Sequence, residues 1–414
     1  MRRRGYVAVA ALVAGATAGL VAPATAAEVA PGAPMRFKDQ NFDEIPIDVP
    51  LEIASPLSCS QGVPGTVTLP DGSQKNVMVS VAHCLHGIVD EDVDVAPEVY
   101  VPLQEGREVI GTRGRGEKFD YGPQRDPLDP ETWVDPEAWD PRKNDPQDWA
   151  TAELAEGVEM TRVADSVDQY GRRHGDPVVL TGVRDYRTLS EGEMTFDNLG
   201  QPICKDGQTT GRTCGVQLLR TRNGVWFAGL ALPGDSGGVN FDPVTGEAVG
   251  VTSTAGWGLF GRAQPIDVAL EEAYGIPDGQ VNEYFTLPES TQAHTPMLTF
   301  SEDQSLQEQW WEENYPEAVI EPEPPQTMEE AHQVAYTNWS AGVGEVTLQT
   351  QDALTLLSED PTQAGTVVNN AVDTAEYVGT LAQETAQAYG STLENLLSAE
   401  DDAHNGEASQ EAGL

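Results

Sequence analysis

Between residues 51 and 287 the chain is broken into short runs rich in β-branched and aromatic residues. Examples are GTVTLP, KNVMVSVAH, PVVLTGV, VQLLR, VWFAGL and EAVGVTS. Gly, Asp and Pro separate them at short intervals. Such runs suit a pleated, half-buried surface, and the separators supply turns. This punctuation predicts a mostly β domain, a barrel or sandwich of many short strands. One helix is predicted near its end, PIDVALEEAYGI, with Pro265 in the first turn and Gly275 at the stop.

The flanks have a different character. Residues 1–26 read as an export signal: Arg2, Arg3 and Arg4, then a small, apolar stretch, then Ala24-Thr25-Ala26 as a cleavage site. Residues 27–50 form a polar, Pro-rich lead-in. No later segment reaches the roughly 18 apolar residues needed to cross a bilayer, so no membrane span is expected. The expected location is secreted, in the medium or at the cell surface. With 23 Lys and Arg against 67 Asp and Glu, the net charge is −44. That charge disfavours nucleic acid and anionic membranes as partners.

No Lys or Arg follows Arg262. Residues 288–327, which include VIEPEPPQT, are expected to be an acidic Pro/Glu linker. Residues 328–399 show helical periodicity. Val368, Ala371, Val372, Ala375, Val378, Leu381, Ala382, Tyr389, Leu393 and Leu396 form one apolar stripe on a helix over about 362–397. Leu354 and Leu357 sit on a shorter helix stopped by Pro361. The stripe predicts a small helical domain, a self-association seam or a cell-surface contact. Residues 400–414 read as a disordered tail.

There are four cysteines, Cys59, Cys84, Cys204 and Cys214. An even count in an exported chain predicts two disulfides, and three pairings are open. Proximity in sequence favours Cys59–Cys84 and Cys204–Cys214. No C-x-x-C occurs, which argues against zinc. The acidic stretch VDEDVDVAPE lacks EF-hand spacing and its glycine, and reads as a solvated loop. Neither a metal nor a cofactor is expected.

Two segments carry chemistry. In LPGDSGGV, Ser236 lies between Asp235 and a Gly-Gly pair. Glycines on both sides permit a tight turn that exposes a hydroxyl and frees backbone N–H groups for a developing oxyanion. In VSVAHCLHG, His83 follows an apolar run and precedes Cys84, whose disulfide would hold it rigidly. His86 reads as a structural histidine.

VAHC followed by GDSGG resembles the trypsin/chymotrypsin-like serine protease family. CKDGQTTGRTCG, Cys204 to Gly215, is similar to the disulfide-bounded segment of its secreted bacterial members, the streptogrisin and α-lytic protease type. AVGVTS resembles the strand that lines their substrate cleft, and AQPIDVALEEAYGI their closing strand and helix. The resemblance covers roughly residues 51–276. It implies two packed six-stranded antiparallel β-barrels, with the C-terminal acidic helices outside them. It also implies a Ser-His-Asp triad in the chain order His, Asp, Ser. Ser236 would be the nucleophile and His83 the base. The N–H groups of Gly234 and Ser236 would form the oxyanion hole.

The aspartate must come from between them. Residues 125–154 hold five Asp-Pro pairs, at Asp126, Asp129, Asp135, Asp140 and Asp145. A residue before proline is pushed to extended or turn geometry, so these describe an irregular loop. Asp148 is followed by Trp149-Ala150 instead and runs on into strand-like sequence. The family pattern, an aspartate followed by apolar residues, favours Asp148 over the competitor Asp120 in EKFDYGP. Residues of about 88–147 then read as an insertion, with Trp133 and Trp139 folding it back on the first barrel or cleft rim.

The specificity pocket implied by the resemblance comprises Ala228, Gly229, Leu230, Ser253, Thr254, Ala255 and Gly256. No carboxylate lies among residues 228–232 or 253–256, so small or apolar P1 side chains are expected over Lys or Arg. No R-I-V-G-G activation site lies between Ala27 and Cys59, so the partner of Asp235 stays open; the bacterial enzymes the chain resembles often use an internal basic group. The expected function is a secreted serine endopeptidase acting on polypeptides. The alternatives are a catalytically inactive protease-fold binding or scaffold protein, and a chain whose helical tail carries the main role.

Overall fold

The computed structural model describes residues 27–44, 47–89, 91–121, 140–143, 145–256, 259–316, 325–359 and 361–411. The expected signal segment and both Trp133 and Trp139 lie outside them, as does most of the Asp-Pro run.

The chain is mostly β up to residue 286. Eight strands make one sheet: β2 (Pro34–Phe37), β3 (Leu57–Ser60), β4 (Val63–Thr68), β5 (Gln74–Ser80), β6 (Glu98–Leu103), β7 (Gly106–Gly116), β8 (Ala150–Leu154) and β19 (Phe285–Thr286). Their order is β19-β4-β5-β8-β7-β6-β2-β3. The first strand, β1 (Glu28–Val29), stands outside it and pairs in parallel with β9 (Glu159–Met160). A further antiparallel pair joins β10 (Val163–Ala164) to β11 (Val178–Val179).

The second large sheet has seven strands: β12 (Gly182–Val183), β13 (Pro202–Gly207), β14 (Gly211–Arg220), β15 (Val225–Ala228), β16 (Val239–Phe241), β17 (Glu247–Gly256) and β18 (Phe260–Pro265). Six of them, β17-β16-β13-β14-β15-β18, close into a barrel because β18 also pairs with β17. Among the described residues only one closed barrel is formed, where two were expected. In the first sheet β3 and β4 are separated only by Gln61 and Gly62, so opposite ends of the strand order meet through the chain and not through a ladder. The Gln61 backbone is committed elsewhere: its N–H donates to the Ala33 carbonyl at 2.7 Å and its carbonyl accepts from the Gly32 N–H at 2.8 Å.

Both sheets feed one apolar core. Val77 and Val79 from the first, with Leu85 and Phe119 beside it, share it with Val239, Phe241 and Val251 from the second. The barrel has a small cluster of its own, Ile203, Val225, Phe227, Val249 and Ala263. The predicted helix is present at Ile266–Tyr274 and ends on Gly275 at φ 70°, left-handed geometry that favours glycine.

Several boundaries differ from expectation. Residues 27–50 are more than a lead-in, since Val29, Ala30, Ala33 and Met35 are fully buried and β2 is an inner strand. Residues 98–116, expected inside an insertion, are the β6–β7 hairpin, and β7 pairs with β8 from Gly111 to Gly116. The linker 288–327 contains a helix, Phe300–Asn314, with a Thr299/Glu302 capping box. Its Asp303 is buried and ion-paired to Arg36 at 2.6 Å and to Arg107 at 2.7 Å.

The C-terminal portion is a helical hairpin, Met328–Glu359 and Ala364–Glu411. The first helix is long where a short one was expected. The backbone of the second continues to Glu411, past the start of the predicted tail. The apolar stripe does not act as one surface. Val378 and Leu381 pack on Gly342 of the first helix, while Val368 (62% exposed) and Leu393 (55%) face outward. The side chains of Leu354, Leu357 and Leu396 lie outside the described ones. No helix among the described residues is long and apolar enough to cross a membrane.

Candidate active site

His83 sits on a one-turn helix, Ala82–Leu85, that follows β5. The Cys59–Cys84 disulfide ties this turn to β3. The second disulfide, Cys204–Cys214, cross-links β13 to β14 at a paired register position. Cys59, His83 and Cys84 bring potential ligand atoms together. Both sulfurs are consumed in the disulfide, so no thiolate remains to hold a metal.

Asp148 is fully buried and meets His83 twice. Oδ2 lies 2.9 Å from the ring Nδ1, and Oδ1 accepts the His83 backbone N–H at 3.0 Å. The Ser253 hydroxyl donates to Oδ2 at 2.5 Å. Burial opposes ionisation of Asp148, but the adjacent His83 and the hydrogen bonds from His83 and Ser253 outweigh it, holding the carboxyl below its ordinary range. The competitor Asp120 is exposed.

The residues that aim Asp148 were not visible as motifs. Gln264 Oε1 accepts the Asp148 N–H at 3.0 Å. Trp149 Nε1 and Gln147 Nε2 both donate to Glu272, at 2.9 and 2.7 Å. Asp145, an Asp-Pro aspartate read as a loop residue, accepts from Thr221 Oγ1 at 2.6 Å and from Asn223 N–H at 3.0 Å. Buried Arg262 donates to Ser253 Oγ at 3.0 Å, to the Asn223 carbonyl at 2.8 Å and to the Pro146 carbonyl. The stretch 145–149 is thus pinned on both sides of Asp148.

Ser236 lies on a half-buried turn between two anchors. On one side the Ser60 N–H donates to the Ser236 carbonyl at 2.8 Å, and Ser60 adjoins Cys59 of the His83 disulfide. A Cβ at Gly237, where φ is 84°, would lie 2.6 Å from Ser80 Oγ, at the end of the strand that leads to His83. On the other side Gly237 N–H donates to the Thr252 carbonyl at 2.8 Å, and Thr252 N–H to the Gly238 carbonyl at 2.8 Å. Thr252 precedes Ser253, which bonds Asp148. The fold therefore gathers His83, Asp148 and the Ser236 turn into one locality. The Ser236 hydroxyl makes no hydrogen bond to His83.

Gly234 has φ 92°, and a Cβ there would collide with Thr209 Oγ1. Its carbonyl is turned inward, accepting from Ser60 Oγ at 2.8 Å and Gln208 Nε2 at 3.2 Å. Asp235 between the two oxyanion-hole candidates is fully buried. It accepts from the backbone N–H of Thr209, Thr210 and Leu232 at 3.0–3.1 Å and from Thr210 Oγ1 at 2.7 Å. Lys205 Nζ lies 3.0 Å from Asp235 Oδ2, with both side chains wholly buried. The internal cation left open by the sequence is Lys205, next to Cys204 in CKDGQTTGRTCG.

The expected pocket residues divide. Ala228 ends β15 and Gly229 follows it, both half-buried, while Leu230 is buried and accepts from Thr213 Oγ1 through its carbonyl at 2.7 Å. Ser253 belongs with Asp148. Thr254, Ala255 and Gly256 end β17, paired to β18 on one side. Past Thr252 no strand pairs with β17 on its β16 side among the described residues.

No protein-family model and no curated protein matches the chain. Among solved structures it is similar to a Glu endopeptidase, at 12% identity and a TM-score of 0.25, over 52% of this chain and 89% of that one. It is similar to the VesB protease of Vibrio cholerae at 11% identity and a TM-score of 0.26, over 58% and 62%. A third is the tobacco etch virus protease, at 8% identity and a TM-score of 0.25, over 62% and 89%. Likeness at this level leaves the assignment of chemistry to the residues themselves.

Proposed function

We propose that the chain is an exported serine endopeptidase with His83, Asp148 and Ser236 as its triad. The observation that carries this reading is the grip of Asp148 on His83, by ring and backbone together, beside the Ser236 turn. Asp148 fixes the tautomer with the proton on Nδ1, which leaves Nε2 free to accept one.

Ser236 Oγ attacks the scissile carbonyl carbon as its proton passes to His83 Nε2. The oxygen of that carbonyl gains the charge, stabilised by the N–H groups of Gly234 and Ser236, which have no acceptor among the described residues. The C–N bond then breaks and the amine leaves with the proton from His83. Water, deprotonated by His83, hydrolyses the acyl ester, releasing the carboxylic acid and restoring Ser236. A substrate strand has a place to dock at the open edge of β17, because extended peptides add to unpaired edges. The neutral composition of residues 228–232 and 253–256 supports small or apolar P1 side chains. Export rests on residues 1–26 and agrees with two disulfides.

One observation favours an inactive binding protein: the missing hydrogen bond between Ser236 and His83. Active-site hydrogen bonds of this kind often close only when substrate is bound. Labelling with a fluorophosphonate probe decides. Wild type should label, Ser236→Ala should not. A folded, oxidised wild type that never labels would end the enzyme reading.

A further inference from the structure

The first helix of the C-terminal hairpin lies on the part of the barrel where a substrate strand would dock. Tyr336 donates its hydroxyl to the Ala255 carbonyl at 3.3 Å. Ala255 is on the open stretch of β17. Eight residues further along the helix, Gly344 is buried against Leu232, four residues before Ser236. A Cβ at Gly344 would overlap Leu232 Cδ1. Leu348, one turn on, is fully buried. Residues 336, 344 and 348 share one side of the helix, as spacings of four and eight require. The neighbouring side serves the hairpin itself: Asn338 Nδ2 donates to the Leu381 carbonyl and to Thr385 Oγ1, both at 3.1 Å, and Gly342 meets Val378 and Leu381.

The reach of this contact matches a peptide. Eight helical residues advance roughly 12 Å. An extended strand covers the same length in about four residues. The helix thus runs from a main-chain acceptor on β17 to the approach of the Ser236 turn, over a span equal to the few residues before a scissile bond. Glycine at 344 is a poorer helix former than alanine. Its use there lets the backbone come down on Leu232.

We infer that the hairpin is a built-in cover of the substrate cleft: Met328–Glu359 occupies the open edge of β17, and polypeptide binds only when it lifts. This rests on the reading of that cleft as a protease site. A covered ground state lowers apparent affinity by the fraction of time the cleft is open.

The test is binding of fluorescein-labelled unfolded casein to the full-length Ser236→Ala protein, which cannot turn it over. Adding Gly344→Leu forces the helix off Leu232 while improving helix propensity. Casein affinity should rise at least tenfold. Tyr336→Phe, which keeps the ring and loses only the hydroxyl contact, should raise it several-fold and serves if the leucine variant misfolds. Equal affinity across the three proteins would overturn the cover. Fluorophosphonate labelling of the Ser236-containing counterparts reads the chemistry separately. Tighter casein binding without labelling would keep the cover and remove the enzyme, and labelling without any change in binding would do the reverse.

Discussion

Replacing Lys205 by methionine tests how the Ser236 turn is held. The Lys205–Asp235 pair is 3.0 Å apart with no solvent on either side chain. At an effective dielectric near 20, two unit charges at that distance attract by roughly 5–6 kcal/mol. Methionine keeps most of the volume but leaves Asp235 with only its hydrogen bonds from Thr209, Thr210 and Leu232. Breaking one side of a buried pair costs about 3–5 kcal/mol, because the remaining charge cannot return to water. Lys75–Glu153 provides the control. It is shorter, 2.6 Å, but its side chains are 43% and 46% exposed. Solvent screening limits such a pair to about 0–1 kcal/mol. Urea unfolding of Lys205→Met should therefore show a loss of several kcal/mol, and Lys75→Met almost none. Gly234 and Ser236 flank Asp235, so peptide turnover should also fall about 100-fold from a shift of an ångström in the N–H groups. Adding Asp235→Asn should recover part of the stability of Lys205→Met. Equal, small losses for Lys205→Met and Lys75→Met, with turnover intact, would refute the idea that this ion pair holds the turn.

Asp148→Asn should lower kcat by about 10⁴, since the wrong His83 tautomer is then favoured, while Asp120→Asn should leave it near wild type; steady-state peptide hydrolysis reads both. Burial pushes the Asp267 carboxyl up to about 7, with Glu271 and Asp185 adding to the shift. The folded form then keeps a proton that the unfolded chain releases, so this group's contribution is intact below about pH 4 and is lost as pH rises through 7. Asp267→Asn should gain stability relative to wild type between pH 5 and pH 8, and parallel denaturation curves at all pH values would refute this. Removing the Cys59–Cys84 bond, whose cysteines are 25 residues apart, should cost roughly 3 kcal/mol by loop entropy. It should slow turnover through His83, measured on the Cys59→Ala/Cys84→Ala pair.

The candidate site was legible where a few adjacent residues carry it. GDSGG and VAHC each name a group and its support, and Asp148 stood out because proline does not follow it. Lys205, Arg262, Gln264 and Asp145 were not legible as partners. Their contacts with Asp235, Pro146, Asp148 and Thr221 in turn span 30, 116, 116 and 76 residues of sequence, and no local pattern encodes those. The β6–β7 hairpin was hidden because GREVIGTRGRG buries few of its residues, leaving no alternation to read. The helix Phe300–Asn314 did carry a signal, Thr299 three residues before Glu302, masked by a sequence with few apolar positions. Two closed barrels were expected from family resemblance. The first sheet instead ends on β3 and β19, and after β3 the backbone N–H and carbonyl of Gln61 pair with Ala33 and Gly32.

The Asp303 clamp sets a schedule for the ribosome. Arg36 and its carboxylate partner are 267 residues apart. At about 5–20 residues per second, roughly 13–50 s of synthesis separate them. Throughout that interval the nascent sheet lacks the carboxylate that neutralises Arg36 and Arg107. Strand β19, which covers β4, also emerges late. The amino-terminal half therefore cannot reach its finished state until residue 303 has emerged. A half that is incomplete until residue 303 has been made stays threadable for longer.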